Sequence, residues 1–511
     1  MRTLRHSHGG RSDRGHTLAA LVVALALVAG CQSSVATSAP TDGRSPTVST
    51  SLPTQPLPTS SARSTPEPTA PPSGVAARWE PAGTVIGDYV PHAALLGDGR
   101  VLVVWADGGY DDIGGKAELW DPATGAWHTT EGLNKPRTGF AAVPLADGRV
   151  LVIGGLNQDE QSFSSTYIYD PVRESWTKAG LLGTARTAPA AAVLPDGHVF
   201  VAGGYFHTGL PEGRADDPGF ALAAYRPGSA GTGQGRPPLN DVDFGPLGYA
   251  FATAELFDPA SETWSPTGPM NYARVGAAAV TLADGRILVV GSSGAGGSGR
   301  YVTRIHPDAY ETAEIYDPRT GRFTLAGRLP DIHRKALKKL GVPLPKGDPE
   351  PAQNGTLVAL DDGGALLMGH AGWWKHEGDI SRSFRFEPAT GQWSEIGQPS
   401  AVTWDNHPPW GVYKTPGALR FDALVAGLPD GRVLVAGGAD AYQESGTNTP
   451  TAELYDPVSN AWSPLPPMPE ARAGGATVVL KDGSVLLVGG FDQSQDGHDF
   501  VTSAIRFVPS P

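Results

Sequence analysis

Short apolar runs recur along this chain, each just after an Asp-Gly turn. The stretch "LADGRVLVIGG" at 145–155 returns as "LPDGHVFVAGG" at 194–204, "LADGRILVVGS" at 282–292, "LDDGGALLMGH" at 360–370, "LPDGRVLVAGG" at 428–438 and "LKDGSVLLVGG" at 480–490, after a first copy, "LGDGRVLVVWA", from Leu96. The runs are apolar without alternation, the pattern of a strand covered on both faces. A second unit follows: "AELWDPATGAW" (117–127), "TYIYDPVRESW" (166–176), "AELFDPASETW" (254–264), "AEIYDPRTGRF" (313–323), "SFRFEPATGQW" (383–393) and "AELYDPVSNAW" (452–462). Asp-Gly between apolar runs predicts one hairpin, and Pro at the first turn position predicts another, so each period is four antiparallel strands.

The Asp-Gly pairs begin at Asp98, Asp147, Asp196, Asp284, Asp362, Asp430 and Asp482, which makes seven units. A four-stranded sheet recurring at about 50 residues, with Gly-Gly, Tyr and Trp at fixed places, resembles the Kelch family, whose sheets form propeller blades. The resemblance covers about Arg78 to the C-terminus. It implies an all-β, seven-bladed Kelch-type β-propeller over 78–511. The segment "RWEPAG" from Arg78 matches the last strand of a repeat, and the closing "SAIRFVP" matches a third strand. The ring is therefore expected to be closed by the N-terminal strand joining the C-terminal blade, which leaves no open edge.

Composition narrows the partners. The chain has 511 residues, 67 of them Gly and 47 Pro, and a formal net charge of −13, which excludes a nucleic-acid binder because phosphate contacts need a basic field. The single cysteine, Cys31, allows no intramolecular disulfide. Arg2, Arg5, Arg11 and Arg14 precede the apolar run "TLAALVVALALVAG" at 17–30, the proportions of a signal peptide, so 1–30 is expected to be removed. "VAGC", ending at Cys31, resembles the lipobox of bacterial lipoproteins. That implies lipidation of Cys31 and a lipid-anchored, extracytoplasmic place in the bacterial cell envelope, with membrane contact through the lipid anchor only. Two acyl chains, at about 0.8 kcal/mol per buried CH₂, anchor stably. Residues 31–77 are then the lipidated cysteine and a Ser/Thr/Pro-rich tether without aromatic residues, expected to be disordered. Its reach is at most roughly 140 Å in polyproline geometry.

Repetition separates scaffold from site. Glu118, Glu255, Glu314 and Glu453, and Arg137, Arg186, Arg274, Arg420 and Arg472, recur around the ring and are expected to staple blades together. In a blade, the connections from strand one to two and three to four lie on one face, and those from two to three and four to the next blade lie on the other. All short turns fall on the first face; the insertions at 205–253, 324–351 and 394–419 fall on the second. That built-up face is where binding is expected.

Of the 12 tryptophans, Trp79, Trp127, Trp176, Trp264, Trp393 and Trp462 occupy the fourth strand of a repeat, and Trp105 and Trp120 lie in other strands. Trp373, Trp374, Trp404 and Trp410 remain, all in two built-up-face loops of blade five. His370 and His376 flank the first pair; Asp405, Asn406 and His407 lie between the second. Flat indoles beside short polar groups suit stacking on a sugar ring, so these nine residues form the expected ligand-binding set. The competing reading is a small apolar core beneath the insertions.

No metal or cofactor is expected. His370, His376 and His407 have no fixed spacing on a regular element, and Asp241 and Asp243 in "LNDVDFG" lack the rest of a calcium loop. "DIHRKALKKLG", 331–341, reads as a short helix with a solvated basic face. In its repeat the domain also resembles galactose oxidase, whose copper-radical site needs a tyrosine cross-linked to a cysteine, a second tyrosine and two histidines. Cys31 lies on the tether, which disfavours that chemistry. The sequence thus favours a module binding carbohydrate or a protein on the built-up face, with a non-copper carbohydrate-active enzyme (epimerase, lyase or hydrolase) as the alternative.

Overall fold

The computed structural model describes residues 76–87, 91–105, 115–157, 161–206, 242–243, 249–291, 309, 312–330, 352–372, 380–397, 422–439, 448–495 and 497–510. They form seven four-stranded antiparallel sheets, arranged as the blades of a β-propeller. Blade one runs outward from Pro91–Leu95 through Val101–Trp105 and Ala117–Asp121 to Ala126–Thr130. The innermost strands of successive blades pack side by side, and the last packs against the first. Crowding near the axis favours small side chains there: Ala141–Pro144 reads AAVP, Ala190–Val193 reads AAAV and Ala278–Thr281 reads AAVT. Second strands such as Val150–Ile153 and Val485–Val488 are buried throughout. The core therefore lies between blades; Leu102 and Val104 of blade one, for example, share a cluster with Phe140, Val150 and Val152 of blade two. Burial on both sides is why these strands lack alternation.

Each Asp-Gly turn closes the first hairpin of its blade. In blade one, Leu96 N–H donates to the Arg100 carbonyl (2.8 Å) and Gly99 N–H to the Leu96 carbonyl (3.0 Å). Gly99 has φ +96°, a conformation a side chain would strain. Tryptophans of the outer strands latch every blade but the fourth, which has Phe323 there, to the one before it. The indole N–H of Trp127 donates to the Ala82 carbonyl (2.6 Å), that of Trp393 to the Ala326 carbonyl (3.2 Å) and that of Trp462 to the Gly397 carbonyl (2.5 Å).

Blade seven takes its outermost strand from the other end of the chain. Arg78–Thr84 pairs antiparallel with Ser503–Val508, placing Trp79 opposite Phe507 with ring centroids 5.0 Å apart. The closure expected from the two chain ends is the one observed.

Two built-up segments depart from the expected loops. His370 lies within strand Ala365–Gly372, where Asn354 and Ser381 are its register partners. The apolar run ends at Met368, but a backbone ladder on both sides extends the strand four residues further. In blade three, Tyr205–Phe206, Val242–Asp243 and Tyr249–Ala250 form a small three-stranded sheet inside the expected insertion. The expected leader, Cys31 and nearly all of the tether lie outside the described residues, as do Arg420, the 331–341 helix, Trp373, Trp374, His376, Trp404, Asp405, Asn406, His407 and Trp410.

Candidate functional site on the built-up face

Several polar groups of the smooth face hold blades together. Arg149 of the first hairpin in blade two pairs with Glu262 in the outer hairpin of blade three (2.7 Å), and Arg100 of blade one with Glu174 of blade two (2.5 Å). Arg385 donates to the Pro457 carbonyl (2.8 Å), and the Lys481 ammonium to the Gly97 carbonyl (2.5 Å), which clasps blade seven to blade one. Beneath these clasps the turns themselves touch: a Cβ on Gly97 would sit 2.6 Å from Gly148 Cα.

The recurring Arg and Glu are likewise consumed by the scaffold. In blade three, buried Arg186 pairs with Glu255 (2.8 Å) and donates to the Gly203 carbonyl (2.8 Å), while Glu255 also accepts from Gly183 N–H (2.7 Å). Arg274 and Glu314 repeat the pair in blade four at 3.1 Å, both fully buried. Each pair ties the incoming connection to the third strand of its own blade. Blade two has Tyr167 in place of the Glu, and Arg137 lies over the Phe163 and Tyr167 rings at 4.4 and 5.0 Å, its pKa lowered by burial to about 10. In blade one, Trp105 serves instead of an Arg: its indole N–H and the Ile86 N–H both donate to Glu118 (3.0 Å each). Burial raises the pKa of that carboxyl.

Three features rise on the opposite face. Blade five is the tallest: Ala352–Ala359, Ala365–Gly372 and Ile380–Glu387 have eight residues each, against four to six in the corresponding strands elsewhere. The added pairs, Ala352 with Gly372, Gln353 with Ala371 and Ala371 with Ile380, all lie at the built-up end. Blade three carries the small sheet already described. Blade seven carries a hairpin of Phe491–Gln495 and Gly497–Phe500.

Within this rim lies a partial collar of backbone hydrogen bonds, which joins blades two to three, three to four and six to seven. Just before the innermost strand of five blades, one residue adopts a left-handed conformation: Gly139 (φ +62°), Ala188 (+49°), Gly276 (+58°), Asp422 (+53°) and Gly474 (+67°). Ala188 N–H donates to the Gly139 carbonyl (2.7 Å), Gly276 N–H to the Ala188 carbonyl (3.0 Å) and Gly474 N–H to the Asp422 carbonyl (2.8 Å), each bond crossing from one blade to the next. Asp422 brings the one acidic side chain among these five. Burial raises its pKa to about 7. Nearby on the innermost strand of blade one, His92 is 3% exposed and stacks on Phe140 with centroids 3.9 Å apart. Neither of its ring nitrogens has a hydrogen-bond partner among the described residues, and burial lowers its pKa to about 4.

Sequence reasoning missed Asp422 and His92, and one signal could have found both. Aligned on the Asp-Gly turns, Asp422 occupies a column that holds Gly139, Ala188, Gly276 and Gly474 as well as Val90 and Asn354, and His92 a column that holds Ala141, Ala190, Ala278 and Ala476 as well as Thr356 and Leu424. Of the nine expected ligand residues, the structure places the backbone of His370; the other eight belong to connections that leave from blade five between Gly372 and Ile380 and beyond Gly397. Among the described residues, no three His, Cys, Asp or Glu are grouped so as to hold a metal ion. A cysteine-linked tyrosine would need a thiol in the ring, and the only one, Cys31, precedes it.

Residues 137–180 and 424–469 match the Kelch motif, and 282–308 match a domain of unknown function, DUF5122, described as a beta-propeller. The chain is 36% identical over 94 residues to the Kelch-like protein terF of Aspergillus terreus, a match covering 18% of this chain and 20% of that protein. It is 26% identical over 260 residues to galactose oxidase of Gibberella zeae, covering 50% of this chain and 33% of the relative. These matches thus span between a fifth and a third of the curated relatives' length. Among solved structures, a fungal alcohol oxidase of the AA5 family, in complex with copper, superposes with TM-score 0.52 at 17% identity over 85% of this chain and 76% of that one. At that identity the likeness speaks for the fold.

Proposed function

We propose that this Kelch-repeat β-propeller is a binding module that takes a carbohydrate on its built-up face and is held at the bacterial cell envelope by a lipid on Cys31. The observation that carries the reading is the extension of blade five. The blade whose strands rise above the ring is also the one from which both tryptophan-bearing connections leave. The smooth face, by contrast, uses Arg100, Arg149, Arg385 and Lys481 of its turns and adjoining strands to clasp neighbouring blades. The partial likeness to a relative named for galactose favours a sugar over a protein ligand.

A stacked ring contributes on the order of 1–3 kcal/mol, by analogy with bases on aromatic platforms. Trp374→Ala or Trp410→Ala should therefore weaken binding of the best saccharide from a panel by roughly 5-fold to 150-fold. Without ligand the melting temperature should barely move, because exposed loop positions usually shift stability by about 0.5 kcal/mol or less. Variants that melt several degrees lower and bind as before would identify these tryptophans as core. Turnover of a panel sugar would replace the binding module with the enzyme reading.

The anchor has its own test. Cys31→Ser should move the protein from the membrane fraction to the soluble fraction, and a mutant that stays with membranes would refute lipidation at that residue.

A further inference from the structure

Six of the seven Asp-Gly turns of the repeat hold their aspartate with a guanidinium, and one does not. Arg100 pairs with Asp98 (2.8 Å), Arg149 with Asp147 (2.7 Å) and Arg286 with Asp284 (2.6 Å), each two residues on in the same turn, and Arg432 pairs likewise with Asp430. Where that position is Gly364 or Ser484, the guanidinium comes from the third strand of the blade: Arg385 meets Asp362 and Arg506 meets Asp482. Blade three has His198 there. Its Nδ1 lies 3.2 Å from Asp196 Oδ1 without the alignment of a hydrogen bond, and it carries a charge only when the ring is protonated.

The Asp196 carboxyl is also the least held and the most exposed of the seven. Both oxygens of Asp98 accept, Oδ1 from Arg100 N–H (2.9 Å) and Oδ2 from Arg100 Nε (2.8 Å). Among the described residues the Asp196 carboxyl accepts one hydrogen bond, from His198 N–H to Oδ1 (3.0 Å). Its side chain is 63% exposed, against 36–55% for the other six.

We propose that Asp196 is a modification site, the turn of the repeat at which the chain isomerises most readily to isoaspartate. The nitrogen of Gly197 attacks Asp196 Cγ; a C–N bond closes a five-membered succinimide, and the amide proton and the carboxyl hydroxyl leave as water. Water then adds back. Opening at Cγ restores aspartate, whereas opening at the main-chain carbonyl leaves the backbone running through Cγ, which is isoaspartate. No oxidant or second reactant is needed, and the mass is unchanged.

All seven turns share the attacking glycine, which has no Cβ to hinder its approach, so the carboxyl makes the difference. Ring closure expels water from a neutral carboxyl that is able to turn toward the next nitrogen. A guanidinium opposes both, because an opposite charge favours the ionised form and charge-assisted hydrogen bonds fix the oxygens. Asp196 lacks that restraint. The product adds a methylene to the backbone of the turn, which disturbs the bonds from Gly197 N–H to the Leu194 carbonyl (2.9 Å) and from Leu194 N–H to the His198 carbonyl (2.8 Å). The hairpin of Ala190–Val193 and Val199–Ala202 should loosen as a result. The turn lies on the smooth face, so the inference stands apart from the binding reading.

The test is to age the folded whole chain at neutral pH and map its peptides by chromatography with electron-transfer fragmentation, which separates isoaspartyl from aspartyl peptides of equal mass. Asp42, Asp107 and Asp496 also precede glycine but lie outside the described residues, so the comparison is among the seven turns. Isoaspartate should accumulate at residue 196 about 1.5-fold to 5-fold faster than at the other six, the span that the loss of an exposed ion pair allows. His198→Arg should bring residue 196 down to the rate of the others, and Arg149→His should raise residue 147 toward it. In urea, where no turn is formed, the seven should isomerise at similar rates. Equal accumulation at all seven in the folded protein, or none at residue 196 when the urea sample shows it, would overturn the proposal. So would a His198→Arg chain that ages at residue 196 as the wild type does, because the guanidinium would then not be the restraint.

Discussion

A chain that stops at residue 502 should lose the cooperative unfolding of the whole ring. The deleted strand, Ser503–Val508, pairs on one side with Val485–Val488 and on the other with Arg78–Thr84, so its loss strands the N-terminal segment and opens blade seven. Ala504, Ile505 and Phe507 are 1%, 4% and 0% exposed, and fully burying Ile and Phe side chains contributes about 1.5–3 kcal/mol each. Arg472 would also lose the carbonyl and hydroxyl of Ser503, leaving a buried guanidinium with fewer acceptors. The sum, on the order of 5 kcal/mol or more, is comparable with the whole stability of a typical domain. Circular dichroism melting should show a broad, early transition. Deleting 509–511 alone is the control: among the described residues the one hydrogen bond it removes is the weak contact of Arg432 with the Ser510 carbonyl (3.4 Å), and it should leave the melt unchanged. A normal melt for the longer deletion would contradict closure by the two chain ends.

Closure was legible because it is written in repeated punctuation. Seven Asp-Gly turns need a residue at positive φ, and Gly fills that place every time, from Gly99 to Gly483. The outer-strand tryptophans identify the fourth strand even where it has moved to the N-terminus, as at Trp79. Features that break the repeat were hidden for separate reasons. The tall strands of blade five read as loop because "GHAG" carries no apolar periodicity, yet a strand with neighbours on both sides needs only its backbone to continue. The substitution of Trp105 for an arginine could not be read because the indole reaches the Glu from the second strand, whereas the arginines reach it from the incoming connection. The collar is invisible to hydrophobic patterning altogether, since it depends on left-handed φ angles at Ala188 and Asp422, where no glycine announces them. The tryptophan connections could be placed on a face by counting strands, but side-chain geometry does not follow from connectivity.

The buried pair in blade four sets the scale of what the scaffold positions contribute. Arg274→Met should destabilise the ring by about 3–5 kcal/mol, because it leaves the Glu314 carboxylate fully buried beside only the neutral donors of Asn271 and Tyr272. At about 2 °C per kcal/mol for a large domain, the melting temperature should fall by roughly 6–10 °C. Adding Glu314→Leu should restore most of the loss, since an apolar pair of similar volume avoids the desolvation that the charges suffer. Arg137→Met is the informative comparison. Arg137 is as buried as Arg274, but it faces aromatic rings and carbonyls with no carboxylate, so its removal strands no charge and should cost less than Arg274→Met. The order expected in thermal unfolding is therefore Arg274→Met lowest, with the double variant and Arg137→Met closer to wild type. If the double variant melts as low as Arg274→Met, the carboxylate is not what the arginine compensates, and the guanidinium's bonds to the Gly291 and Ala309 carbonyls carry the stability instead.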